Sequence, residues 1–134
     1  EITYRHLIQA YPFNSSAVIV EMNGQALNAF VTHGLKKYTP GARTNAFILP
    51  AGFSYTFNPD TRQIIRINIQ GQPVDPGKIY RVAMPSFLAD GGDGFPVQRD
   101  QTVFAPDIRE GMGRALQGVV SFNRFENRIS VTRP

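Results

Sequence analysis

Around residue 45 the hydrophobic period of this chain switches from helical to alternating, and that switch limits the fold more than any other feature. Before it, residues 4–10 read as a short helix with Thr3 as N-cap, which puts Tyr4, Leu7 and Ile8 on one face, and Pro12 ends it. Residues 17–22 form an apolar run broken only by Glu21, the pattern of a buried strand, and Asn23-Gly24 marks a turn. Residues 25–35 set Leu27, Phe30, Val31 and Leu35 at helical spacing, and Thr39-Pro40-Gly41 closes that unit.

After the switch, Phe53, Tyr55 and Phe57 alternate with polar residues, and Ile65, Ile67 and Ile69 alternate with Arg66 and Asn68. With Asn58-Pro59-Asp60 as a turn between them, these two runs predict an antiparallel hairpin. Gly71-Gln72-Pro73 then leads towards the apolar segment 80–84. Pro106 opens a last helix to about residue 117, with Ile108, Met112 and Leu116 facing inward and Gly111 and Gly113 weakening it. Residues 128–132 finish as a strand. No segment repeats. Helices and strands in this order predict an α+β fold, a mixed and largely antiparallel sheet with packed helices, rather than a doubly wound parallel one.

Composition decides the broad class. The chain of 134 residues is the size of one domain, 1–134, with room for a single core. Apolar residues at 42% against charged residues at 18% describe a globular chain rather than a disordered one. No apolar run is long enough to span a bilayer. Glu1 is not an initiating residue and no signal peptide opens the chain, so an upstream segment is expected. With no cysteine, disulfides and thiolate catalysis are excluded, and either redox compartment is compatible.

The net charge of +4 raises the question of nucleic acid. Arg62, Arg66, Lys78, Arg81, Arg99, Arg109, Arg114, Arg124, Arg128 and Arg133 are scattered, and Lys36-Lys37 is the only doublet. No nucleic-acid motif accompanies them, so no nucleic-acid partner is expected. The charge reads as a solvated surface, with a mild field that favours a small anionic ligand. His6 and His33 are the only histidines and lie in separate helical segments, so each reads as a helix-surface or interface residue and not as a metal ligand.

The densest motif is Phe87-Leu88-Ala89-Asp90-Gly91-Gly92-Asp93-Gly94-Phe95-Pro96, which sets aromatics, carboxylates and glycines directly after an apolar segment. Glycines allow positive φ and close backbone approach, and an aromatic face offers a stacking surface. By composition alone this is a glycine-rich turn with an exposed Asp. Other segments accompany it: Ile2-Thr3-Tyr4-Arg5-His6-Leu7 with Tyr11-Pro12-Phe13, then Val20-Glu21-Met22-Asn23-Gly24-Gln25-Ala26-Leu27. Further on come residues 69–80 and the closing Glu126-Asn127-Arg128-Ile129-Ser130-Val131. In wording and order these segments resemble the C-terminal domain of the 5′-nucleotidase and UDP-sugar hydrolase family, two-domain hydrolases of nucleotides.

That resemblance implies a nucleotide-recognition domain. Phe13 and Phe87 match the two aromatics that sandwich the nucleobase, and Asp93 matches the carboxylate that accepts hydrogen bonds from ribose hydroxyls. Asn14 departs from the family's glycine after the Pro-Phe corner and bears on access to Phe13. Read without the resemblance, Phe13 is a core anchor, Phe87 is either core or ligand-facing, and Asp93 is a turn former. Tyr11 and Phe95 read as packing residues; Phe47, Phe53 and Phe57 read as core. The family's two divalent metals belong to an N-terminal metallophosphoesterase domain absent from this chain, so no cofactor and no hydrolysis are expected of the chain alone. The implied location is periplasmic, cell-surface or secreted. An alternative stays open: a stand-alone nucleotide- or nucleoside-binding module, which the coding sequence upstream of Glu1 would distinguish.

Overall fold

A computed structural model describes residues 2–36, 38–39, 48–98, 100–118 and 128–132. Among them the elements follow in the order α1 (Tyr4–Ala10), β1 (Ala17–Asn23), α2 (Gly24–Gly34), β2 (Phe53–Asn58), β3 (Gln63–Ile69), β4 (Gln72–Pro73), β5 (Ile79–Pro85), α3 (Ser86–Ala89), a turn of 3-10 helix (Gly92–Gly94), β6 (Gln101–Ala105), α4 (Ile108–Leu116) and β7 (Ile129–Val131). They form one sheet of order β5-β1-β6 and another of order β4-β3-β2-β7, with mainly antiparallel pairing. The expected α+β class with packed helices is what is found. The chain divides into two compact units, Glu1–Glu21 with Arg81–Arg124, and Met22–Tyr80 with Phe125–Pro134.

In the first unit, α1 spans the predicted residues, and Thr3 N–H donates to Nδ1 of His6 at 3.0 Å, closing the helix start. Only Leu7 of its expected face is buried; Tyr4 is 53% and Ile8 41% exposed. Here α4 meets the helix at Leu7, whose Cδ1 would lie 3.5 Å from a Cβ at Gly113. Val18 and Val20 of β1 alternate inward while Glu21 points out, so the strand is buried on one face rather than both. Its antiparallel partner β6 was not expected from the sequence: Val103 and Phe104 are 62% and 71% exposed, an edge strand without a buried stripe. Asp107, not Pro106, caps α4 by accepting from Arg109 N–H at 2.8 Å, and the helix's inner residues are only half-buried.

The second unit carries the larger buried cluster. Asn23 is not a turn residue but the cap of α2, its Oδ1 accepting from Ala26 N–H at 2.8 Å. Leu27, Phe30, Val31 and Leu35 are buried as the helical spacing requires, and α2 packs on β3. Gly24 sits so close to the loop before β5 that a Cβ there would stand 2.1 Å from the Asp75 carbonyl oxygen. The hairpin β2–β3 forms as predicted, with Asn58 Oδ1 accepting from Asp60 N–H at 2.8 Å and Thr61 N–H at 3.1 Å. The register slips at Thr56/Phe57: Thr56 faces Arg66 but Phe57 faces Ile64. Ile65 is therefore the residue left over by a bulge, 56% exposed instead of aligned with Ile67 in the core. Gln70 and Gly71, both at positive φ, turn β3 into β4. Finally β7 adds in parallel to β2, Tyr55 facing Ile129. The residues expected at 40–41, 47 and 126–127 lie outside the described residues.

Candidate functional site

The site begins where β5 enters α3. This four-residue helix turns Ala89 fully inward and leaves the Phe87 ring 53% exposed. Asp90 follows, its Oδ1 accepting from Gln101 Nε2 at 2.9 Å, so one of the motif's two carboxylates is engaged in closing the loop. Gln98 N–H donates to the Ala89 carbonyl at 2.8 Å and fixes the far side. Gly91 takes φ +90 and hands the chain to the 3-10 turn, inside which Asp93 adopts φ +54. An Asp tolerates this left-handed conformation in a turn, and Asp93 is exposed.

Phe87 and Gly92 are fitted to each other. A Cβ at Gly92 would stand 2.5 Å from Cε1, 2.5 Å from Cζ and 2.6 Å from Cε2 of the Phe87 ring. A point nearly equidistant from three atoms of a hexagon lies close to the axis through its centre. One α-hydrogen of Gly92 therefore points into the middle of one ring face and covers it, while the residue as a whole stays 53% exposed.

Phe13 lies on the loop between α1 and β1 and is 63% exposed, which excludes the core-anchor reading. Tyr11, half-buried, meets it edge-on at 5.4 Å between centroids and 76° between planes. The backbone after it is tied at several points. Asn14 Oδ1 accepts from Arg109 Nη2, Ser15 carbonyl from Ile108 N–H at 3.1 Å, and Ser16 carbonyl from Ser86 N–H at 2.8 Å. Ser16 Oγ donates to the Pro106 carbonyl at 3.0 Å. The Ser86–Ser16 bond joins the segment carrying Phe13 to the helix carrying Phe87, so all three predicted site residues stand on segments of one unit. Phe95, 6% exposed, is a packing residue as read from sequence.

Sequence reasoning missed Arg109. It bonds Asp107 through Nε at 3.1 Å and Nη2 at 2.9 Å, and reaches Asn14 across 95 residues. No local spacing signals a partner that far away. The hydrogen bonds from the Arg109 side chain and backbone hold Asp107 below the usual carboxylate range, and Asp107 in turn raises Arg109.

A concavity of the first unit, about 860 Å³, is lined by Tyr4, Leu7, Arg109 and Leu116 of α1 and α4, and none of the three predicted site residues lines it. Phe13 and Phe87 are both more than half exposed. Among the described residues no group of three His, Cys, Asp or Glu could hold a metal ion, and His6 Nδ1 is engaged by Thr3. No helix among them is long and apolar enough to cross a membrane.

The family profile described as 5′-nucleotidase, C-terminal domain, matches residues 1–100. Protein UshA of Salmonella pullorum is 30% identical over 96 residues, which cover 72% of this chain and 16% of that protein. The 5′-nucleotidase of Bos taurus is 27% identical over 114 residues, covering 76% of this chain and 19% of the relative. This chain thus spans less than a fifth of these relatives. Among solved structures, a 5′-nucleotidase precursor from Thermus thermophilus superposes with a TM-score of 0.85 at 23% identity, over 99% of this chain and 28% of the other, a likeness of fold.

Proposed function

This chain belongs to the 5′-nucleotidase C-terminal domain family, and from that premise we propose that it is the nucleotide-recognition part of a 5′-nucleotidase-type hydrolase. The observation that carries the reading is the pair Phe13 and Phe87, two rings more than half exposed on interlinked segments of one unit. Large exposed aromatics cost solvation unless something covers them, and a planar base is a suitable cover. In this reading the outer face of Phe87 stacks on the nucleobase and Phe13 supplies the second face. Each such contact is worth roughly 1–3 kcal/mol on the single-strand stacking scale. Asp93, exposed in the same motif as Phe87, accepts the ribose hydroxyls, which an ionised carboxylate does as acceptor only.

Residues 1–134 act in this proposal as one recognition domain beside an N-terminal metallophosphoesterase domain that holds two divalent metals. Hydrolysis is assigned in this proposal to that domain. The setting proposed for the assembled enzyme is periplasmic, cell-surface or secreted. Titration of the chain with adenosine and AMP, followed by chemical-shift perturbation, tests the reading. Comparable weak binding of the two is expected, with shifts centred on Phe13, Phe87 and Asp93, and no phosphate release from AMP with divalent metals added. A large preference for AMP, or shifts elsewhere, overturns it.

A further inference from the structure

An aromatic ring on an exposed loop is ordinarily mobile, and a ligand that stacks on it must immobilise it. Phe13 sits on such a loop, yet the residues just after it are fastened to the start of α4 and the start of α3 by contacts that do not involve its ring. The most unusual of these is the chain Asn14–Arg109–Asp107. Arg109 is mostly buried, its side chain 15% exposed, and its guanidinium directs Nε and Nη2 to Asp107 while Nη2 also donates to Asn14. Asp107 is itself fixed, since its Oδ1 accepts from the Arg109 N–H that begins α4. A rigid fork is thus anchored at one end to a helix cap and aimed at the residue next to Phe13.

We infer that Arg109 is a positioning residue: acting through Asn14, it holds the loop so that the Phe13 ring is presented before a ligand arrives. The link depends on Asn14, the position where this chain departs from the glycine the family resemblance leads one to expect. A glycine there has no side chain to accept the bond. The departure accordingly adds a fastening beside the ring. The arrangement does not pack Phe13 into a core, because the ring it steadies is 63% exposed. The inference rests on the reading of Phe13 as a stacking residue for its ligand consequence, and on geometry alone for the fastening.

The test uses the chain itself. Asn14→Gly removes the acceptor, and Asn14→Asp restores one with a charge complementary to Arg109. Backbone amide NMR order parameters for Tyr11, Phe13 and Asn14 read the fastening, and adenosine titration by chemical shift reads the ligand. Asn14→Gly is expected to lower the order parameters and weaken adenosine by roughly two- to tenfold, the ordering cost of one side chain. Asn14→Asp is expected to retain both. The loss of affinity on Asn14→Gly should disappear when Phe13→Ala is already present, because a group acting through Phe13 has nothing left to position; a general structural role would persist in that background. Unchanged order parameters in Asn14→Gly overturn the inference, and so does an affinity loss that survives Phe13→Ala. If the loop loosens but neither Asn14→Gly nor Phe13→Ala alters adenosine binding, the fastening stands and the stacking reading falls.

Discussion

Phe57 and Phe87 are the same side chain put to opposite uses. Phe57 is 1% exposed, with Tyr38 edge-on at 5.0 Å and Tyr55 at 6.3 Å, so aromatic neighbours hold it. Phe87 is 53% exposed and rests on a glycine backbone. In the hairpin, rings stabilise by burying one another. In the loop, the backbone does the holding and the ring stays available. The two glycines beside these regions repeat the contrast: the nearest atom to a Cβ at Gly24 would be the backbone carbonyl oxygen of Asp75, while the three nearest to one at Gly92 would belong to the Phe87 ring.

The largest effect expected from this contrast is on stability. Phe57→Ala should cost about 3–5 kcal/mol of unfolding free energy. Phe87→Ala should cost less than about 1 kcal/mol and should instead weaken nucleoside binding by about 1–3 kcal/mol. Denaturant unfolding and a nucleoside titration on both variants separate the two; a Phe87→Ala chain that melts like Phe57→Ala would erase the distinction.

Next come the glycines. Backbone cannot swing aside, so Gly24→Ala should destabilise by about 1–3 kcal/mol or more. A ring can rotate, so Gly92→Ala should leave stability nearly intact while displacing Phe87 and reproducing the binding loss of Phe87→Ala. Equal melting points for the two variants would mean that the Asp75 loop yields as easily as a side chain.

How far was this legible from sequence? The helix α1 and the hairpin were, because a cap, a turn and a short period are local signals. Ile65 was placed on the wrong side because a bulge shifts register without changing composition. β6 escaped because Val103 and Phe104 are both exposed and so lack the one-sided pattern that marks a strand. The candidate site was readable only through the family's wording. Spacing alone left Phe13 in the core, and nothing in the chain announces that Arg109 meets Asn14.

Smaller effects probe the polar side of the comparison. Asp93→Ala should weaken ribonucleosides more than 2′-deoxyribonucleosides, since a carboxylate that accepts from two hydroxyls loses more with the former. Equal losses for both sugars would return Asp93 to a turn former. The smallest effect concerns acid. Asp107 is held below its ordinary value in the folded chain, so its contribution to stability is present above the unfolded value and is lost as pH falls through the lowered folded one. The melting-point gap between the native chain and Asp107→Asn should therefore narrow on acidification. A gap that stays constant down to low pH would show that the Asp107–Arg109 pair contributes through shape rather than charge.

The Gly92 hydrogen in the middle of the Phe87 ring has a calorimetric consequence. The heat-capacity change of binding follows the apolar surface that loses water in the event itself. One face of this ring has already lost its water when the chain folds, and that share belongs to the heat capacity of unfolding. A base arriving on the outer face dehydrates only what remains. The ring should contribute a smaller negative heat-capacity change than one stacked from a fully hydrated state, and Gly92→Ala, by swinging the covered face into solvent, should enlarge whatever signal its residual binding leaves.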